Sequence, residues 1–283
     1  MHAAARGRSR EQDTMSFDVE EFVRYQIANA QVRPYPFPHF CVSPVFPEDY
    51  YRELQSHLPP TEALKPIHEY GTVGIANKET GEVERTYEPR FIADLAVLEE
   101  DEEANGRGQF WRELSSWLLG DAFRDLMIEK FRVGIGHRFG EQARLQTDVE
   151  GRFVRDFQSY MIHPHTDQPG KLVSLLFYLP ANDSLRNHGT VLYRPIDPNF
   201  RSKGTARHPF EAFRKVAAMS FLPNTLLGFL KTDFSFHGVE EIKEERIERN
   251  VLLYNIYVRK VLLPQRREVA RAIWPWAGKS RGA

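Results

Sequence analysis

After Lys130 the chain breaks into short strand-length runs, and this texture limits the possible folds more than any other feature. FRVGIG, RFVRDFQSYMI, LVSLLFYL, TVLYRP, VAAMSFL, TLLGFL, FHGVEEI and NVLLYNIYV are rich in β-branched and aromatic residues, and Gly, Pro, Asn or Asp separates most of them. About eight strands in roughly 130 residues fit a double-sheet jelly roll or a barrel. Two of the runs, residues 172–179 and 251–258, are apolar almost throughout. Such strands need cover on both faces, from a second sheet on one side and helices on the other.

The first part of the chain can supply that cover. Phe17, Val19, Phe22, Val23, Tyr25 and Ile27 are spaced for a helix that stops before the proline-rich PYPFPHF. PEDYYRELQSHLPP predicts a second helix, with Pro47 in its first turn and Glu48 and Asp49 at the positive end of the helix dipole. Between Phe110 and Met127 the apolar positions recur near helical spacing, predicting two helical pieces broken at Gly120. Residues 71–86 are polar and turn-rich and predict a hairpin or a lid. These signals divide the chain into a disordered tail (1–16), one domain (17–262) and a C-terminal extension (263–283). Within the domain, 17–130 is expected to be mainly helical cover and lid, and 131–262 the β core.

Charge and cysteine usage exclude several function classes. Thirty-eight Lys and Arg against 39 Asp and Glu leave a net charge of -1. There is no basic excess of the kind that binds nucleic acid or an anionic membrane surface, and neither partner is expected. The single cysteine, Cys41, allows no internal disulfide and no thiolate-rich zinc site, which fits a reducing compartment. No apolar run approaches the ~18 residues of a membrane span, and MHAAARGRSREQDT lacks the apolar stretch of a signal peptide. A cytoplasmic protein is the expectation; oligomeric state is not legible.

The sharpest local motif is His165-Thr166-Asp167, in SYMIHPHTDQPGK. On a strand, residues i and i+2 share a side, so His165 and Asp167 can converge on one point. Ten histidines and thirteen aspartates make roughly half a His-x-Asp match expected by chance, so the motif needs support. Support comes from His237, at the start of the later run FHGVEEI. Two histidines and one carboxylate on two strands of a β-barrel form the facial triad that leaves open positions on non-haem Fe(II). Arg249, at the start of the last apolar run, can return along a hairpin toward His237 and offer a bidentate fork to a carboxylate. Arg246 in the same charged stretch is the competing candidate. His163 shares strand parity with His165, so an all-histidine set of His163, His165 and His237 is an alternative.

With these residues in place the sequence resembles the iron(II)- and 2-oxoglutarate-dependent oxygenases, especially the prolyl-4-hydroxylase-like branch. The resemblance runs through PYPFPHFCVSPVFPEDYYRELQSHLP, HPHTDQPGKLVSLLFYLP, GTVLY, NTLLGFLKTDFSFHGV and ERNVLLYNIYV, in consistent order over most of residues 34–260. It implies an α+β fold, a double-stranded β-helix (jelly roll) core covered by N-terminal helices. It also implies Fe(II) held by His165, Asp167 and His237, with 2-oxoglutarate and O2 as cosubstrates. Arg249 and Tyr178 would hold the far carboxylate of 2-oxoglutarate. Tyr160 is a further candidate there, or a core aromatic with a polar tip. Two positions depart from the family pattern: Val251 stands where a Ser or Thr often follows the arginine, and His188-Gly189 replaces a Gly-Gly pair, with His188 expected to be exposed. Retention of Asp167 favours oxygenation over halogenation.

The expected activity is hydroxylation of an unactivated C–H bond of a small molecule in a biosynthetic pathway. A protein or peptidyl side-chain hydroxylase and a non-enzymatic jelly-roll binding module are the alternatives. Substrate choice would fall to loops 71–86, 181–188 and 197–209. The last carries Arg201, Lys203 and Arg207, which either meet an anionic substrate or are solvated.

Overall fold

The computed structural model describes residues 18–70, 75–76, 83–84, 89–101, 106–204 and 206–263. The tail expected at 1–16 and the extension beyond 263 lie outside the described residues. The helices are α1 (Val19–Asn29), α2 (Glu48–Ser56), α3 (Leu95–Glu99), α4 (Arg107–Leu118), α5 (Asp121–Lys130) and α6 (Arg132–Phe139). The strands are β1 (His39–Val42), β2 (Lys65–Pro66), β3 (Ile75–Ala76), β4 (Val83–Glu84), β5 (Arg90–Asp94), β6 (Arg144–Asp156), β7 (Ile162–His165), β8 (Lys171–Tyr178), β9 (Val191–Pro195), β10 (Phe213–Ala218), β11 (Thr225–Leu230), β12 (His237–Val239) and β13 (Arg249–Leu262). Of the hairpin or lid expected at 71–86, the short antiparallel pair β3–β4 is described, and the rest of that segment is not.

The strands form two larger antiparallel sheets. The order is β1-β11-β8-β13-β6-β5-β2 in the seven-stranded sheet and β10-β9-β12-β7 in the four-stranded one. From β6 onward the chain passes back and forth: β6, β8, β11 and β13 lie in the large sheet, and β7, β9, β10 and β12 in the small one. The end of β7 at His165 and the starts of β12 at His237 and of β13 at Arg249 supply the candidate site.

Period-2 alternation on the large sheet separates two apolar clusters. Leu175, Phe177, Leu252 and Tyr254 pack with Trp111, Leu114, Phe123 and Met127 of the helices. On the other face Leu227, Phe229, Val251 and Val154 pack with Leu192 and Phe221. This is why residues 172–179 and 251–258 lack polar alternation. Each fully buried large apolar side chain contributes about 1.5–3 kcal/mol. The Trp111 indole N–H donates to the His57 carbonyl at 3.0 Å, so its burial leaves no polar atom stranded.

Three expectations are corrected. FRVGIG is not a strand but most of the short helix α6. A strand would place Val133 and Ile135 on one face, yet Val133 is 68% exposed while Phe131 and Ile135, four apart, are buried. RFVRDFQSYMI is two strands: β6 ends at Asp156, and a turn with Ser159 at φ 66° precedes β7. The part before residue 131 is more than helical cover, because β1, β2 and β5 add to the large sheet. These strands are short, and β2 and β5 carry little alternation.

His39 on β1 is buried, with its ring Nδ1 2.8 Å from the Phe37 carbonyl. Burial pushes its pKa below the ordinary 6.5, although the hydrogen bond to Phe37 opposes this. The folded protein therefore binds this proton less readily than the unfolded chain. The contribution is intact above about pH 6.5 and is lost as the pH falls through that value toward the lower folded pKa. Urea midpoints are expected to fall on acidification from about pH 7.5 to 5.5, and less steeply in His39→Gln.

Candidate active site

Antiparallel pairing of β7 with β12 sets His165 directly opposite His237. Their ring centroids lie 4.4 Å apart. Asp167 follows two residues after His165, with its Oδ1 4.0 Å from His237 Nε2. One nitrogen or oxygen from each of the three lies within 4.8 Å of the others. Both rings are oriented in the same way: Nδ1 is 3.0 Å from the carbonyl two residues earlier, His163 for His165 and Ser235 for His237. With Nδ1–H donating to that carbonyl, Nε2 of each ring keeps its lone pair for a metal.

The carboxylate is held from β8. Ser174 Oγ donates to Asp167 Oδ2 at 2.7 Å, and Lys171 Nζ donates to Oδ1 at 3.2 Å. Burial opposes ionisation of Asp167, but Lys171, His237, His165 and the Ser174 hydroxyl together outweigh it and hold the carboxyl well below its ordinary range. Burial, reinforced by Arg207 and by His237, pushes His165 well below the ordinary histidine value; burial likewise lowers His237. Two neutral imidazoles and an ionised carboxylate are the protonation states that a divalent metal requires of its ligands.

A bulge removes His163 from this set. His165 faces His237 and Ile162 faces Val239, so β7 spends one more residue than β12 between those pairs. Strand parity is thereby broken. Ile162 and His165 line the cavity, whereas the His163 ring packs on Phe210 at 4.6 Å with Nδ1 3.3 Å from the His208 carbonyl. The all-histidine alternative is not brought together.

The triad lines a cavity of about 210 Å³ that Arg249 also lines. Arg249 opens β13 opposite Asp156, and Arg90 on β5 faces the same Asp156 from the other side. Asp156 is wholly buried. It accepts from Arg249 Nη1 at 2.7 Å and from Arg90 Nε and Nη2 at 2.6 and 2.9 Å. Arg249 Nε donates to the His188 carbonyl at 2.7 Å. Its Nη2 and the Oγ1 of Thr190, another cavity residue, are buried with no hydrogen-bond partner among the described residues. Two orphan polar atoms in one cavity are a costly arrangement for a protein to keep without a ligand to satisfy them. Arg246, by contrast, is exposed in a left-handed turn.

Tyr160 lines the cavity, and the Arg90 guanidinium lies 4.5 Å from its ring centre. Tyr178 is not among the cavity residues. It stands behind Arg249, whose guanidinium is 5.9 Å from the ring centre, and its hydroxyl accepts from the Thr190 backbone N–H at 3.3 Å. Burial pushes both phenols up to about 12. The exposure expected for His188 is not found: its side chain is 11% exposed, with Nε2 3.3 Å from Glu244. Gly189 explains the tight path, since a β-carbon there would run into the Met219 carbonyl. The residues missed from the sequence are Asp156, Arg90, Thr190, Lys171 and Ser174. Each becomes visible only once strand register is known.

No protein-family model and no curated protein matches the sequence. Among solved structures the chain is similar to a prolyl-4-hydroxylase from Pseudomonas putida, with 15% identity, 85% of this chain and 99% of that one covered, and a TM-score of 0.45. It is similar also to an oxidoreductase of the 2OG-Fe(II) oxygenase family from Burkholderia pseudomallei, with 15% identity, coverage of 77% and 84%, and a TM-score of 0.39. A third is SnoK, a non-heme alpha-ketoglutarate-dependent carbocyclase from nogalamycin biosynthesis, with 11% identity, 91% of each chain covered and a TM-score of 0.46. At such identities and scores the likeness carries no functional argument, which falls to the side chains in the cavity.

Proposed function

We propose that this protein is an Fe(II)- and 2-oxoglutarate-dependent oxygenase that hydroxylates a C–H bond of a small molecule. The observation that carries this reading is one cavity holding both a His165–Asp167–His237 cluster and the unpaired donors of Arg249 and Thr190. The donor set fits the metal: two neutral imidazoles and one carboxylate cancel one of iron(II)'s two charges and leave positions for a chelating anion and oxygen. When bound, iron(II) would let O2 act as the oxidant, with 2-oxoglutarate decarboxylated to succinate and CO2 and one oxygen atom placed on the substrate.

The chain's own residues bind, orient and exclude water. Arg249 would receive the far carboxylate of 2-oxoglutarate through Nη2, its other donors being fixed by Asp156 and the His188 carbonyl. Thr190 offers the hydroxyl that the family pattern places two residues beyond the arginine, where this chain has Val251. Tyr178 acts as a positioning residue, holding the Thr190 backbone and backing the guanidinium. Tyr160 forms part of the wall. The eight strands β6–β13 are read as the double-stranded β-helix, and residues 17–262 as one unit because β1, β2 and β5 pair into the same sheet. Among the described residues no helix is long and apolar enough to cross a membrane.

Anaerobic titration with Fe(II) and 2-oxoglutarate tests the proposal. The weak visible charge-transfer band of the chelate is expected in the wild type. Thr190→Val is expected to need about tenfold more 2-oxoglutarate to reach half its amplitude, the low end of the loss of a hydrogen bond to a charged group. A folded wild-type protein without the band would instead be the non-enzymatic binding module.

A further inference from the structure

The two oxygens of Asp167 have different partners. Oδ2 accepts from the Ser174 hydroxyl at 2.7 Å, while Oδ1 lies 4.0 Å from His237 Nε2 and is the oxygen offered to the point the three residues share. Lys171 Nζ donates to that same Oδ1 at 3.2 Å. An i, i+4 lysine–aspartate pair on a surface is worth little, because water and salt screen it. This pair is not on the surface: the two side chains are 15% and 12% exposed, and both residues line the cavity.

The backbone of Lys171 is fixed from three sides. Its N–H donates to the Gln168 carbonyl at 3.0 Å, its carbonyl accepts from Arg138 Nη1 at 2.7 Å, and it stands opposite Tyr257 of β13. With its root held, the ammonium stays within a side chain's length of Oδ1. The charge of the cluster follows from this pairing. The neutral imidazoles of His165 and His237 add none, and the one carboxylate is matched by the ammonium bonded to it. A divalent cation arriving alone gains Asp167 but meets Lys171 at close range in a partly desolvated cavity, where like charges repel far more than in water. An anion that chelates the cation relieves that repulsion and is itself attracted by the ammonium.

We infer that Lys171 couples the two binding events: it weakens the site for a bare divalent cation and restores affinity when 2-oxoglutarate binds with the cation. This inference rests on the metal-site reading of His165, Asp167 and His237, with 2-oxoglutarate as the chelating cosubstrate. Such coupling is reciprocal, so the factor by which 2-oxoglutarate tightens the metal equals the factor by which the metal tightens 2-oxoglutarate.

The test is Mn(II) titration followed by the electron paramagnetic resonance signal of the free ion, with and without saturating 2-oxoglutarate. Mn(II) takes nitrogen and oxygen ligands, and the readout is binding rather than activity. Lys171→Met keeps the reach of the side chain and removes its charge. It is expected to bind Mn(II) alone at least about tenfold more tightly than wild type, and the tightening by 2-oxoglutarate should shrink by a similar factor. Lys171→Arg keeps the charge and should hold the wild-type ratio of the two affinities within about threefold. Ser174→Ala separates position from charge: it loosens the same carboxylate, and should weaken Mn(II) equally with and without 2-oxoglutarate. Lys171→Gln repeats the measurement should the methionine variant not fold. A folded neutral variant that binds bare Mn(II) no more tightly than wild type overturns the inference, and so does one with the wild-type ratio of affinities. Failure of the metal-site reading looks different: wild type and Lys171→Met alike bind no Mn(II), and His237→Gln changes nothing. The role of Lys171 falls with that reading, whereas its own failure leaves Mn(II) binding by wild type intact.

Discussion

Replacing His237 with alanine is expected to abolish iron(II) binding and the charge-transfer band with it. His237 is the one member of the cluster that comes from β12, and no other histidine, cysteine or carboxylate among the described residues completes the set. His165 and Asp167 would remain, but two neighbours on one segment do not enclose a metal. Substitution of groups that merely orient metal ligands costs 10–100-fold in affinity, so loss of a ligand should cost at least about 100-fold. The imidazole also packs against Phe229, with centroids 4.5 Å apart, so His237→Gln serves as a volume-keeping companion. Anaerobic Fe(II) titration of both variants is the measurement. Wild-type affinity in either would remove His237 from the metal site.

Asp156→Ala is expected to injure both stability and cosubstrate binding. Its carboxylate is the common partner of Arg90 and Arg249, and neither Asp156 nor Arg249 has appreciable exposure. Removing one partner of a buried ion pair costs about 3–5 kcal/mol, because the remaining charge stays buried without compensation. Here two guanidiniums face each other across the gap, although Arg90, with 15% of its side chain exposed, recovers some solvation. About 3 kcal/mol is therefore expected from urea unfolding. The second effect separates a binding role from a structural one. Once released from Asp156, Arg249 no longer holds Nη2 toward the cavity, and half-saturation by 2-oxoglutarate should rise about tenfold or more. Asp156→Asn keeps the volume and one acceptor, and should lose less stability while still weakening 2-oxoglutarate. Unchanged cosubstrate affinity in a folded Asp156 variant would refute Arg249 as its anchor.

The contrast between His163 and His165 shows where sequence reasoning stops. Their i, i+2 spacing places both on one side of an ideal strand; Pro164 between them, a residue that sheets confine to edges and bulges, marks an irregularity but does not tell which histidine it turns away. Bulges arise from the pairing partner, in this case the three-residue strand β12, and so are a property of two segments together. Arg249 and Arg246 show a similar limit. Adjacency to an apolar run favoured Arg249, but what holds it is Asp156, 93 residues away along the chain. Val133 illustrates the opposite error, in which a local apolar pattern compatible with a strand was absorbed by a helix continuing from α5.

The amino-acid sequence by itself marked the two-sided burial of the core strands and the helical breaks around Gly120, because these rest on residue type and periodicity along one segment; it singled out His165, Asp167 and His237 as candidates by residue type, two of them neighbours and the third on a distant run. Tertiary structure alone decided which side of its strand each of those residues faces, which of Arg249 and Arg246 enters the cavity, and that Arg207 lines the cavity of His165, Asp167 and His237. Those outcomes depend on strand register and loop docking between segments far apart in sequence. A shift of one residue in register exchanges the faces of a strand, and that shift leaves no mark in either segment read alone.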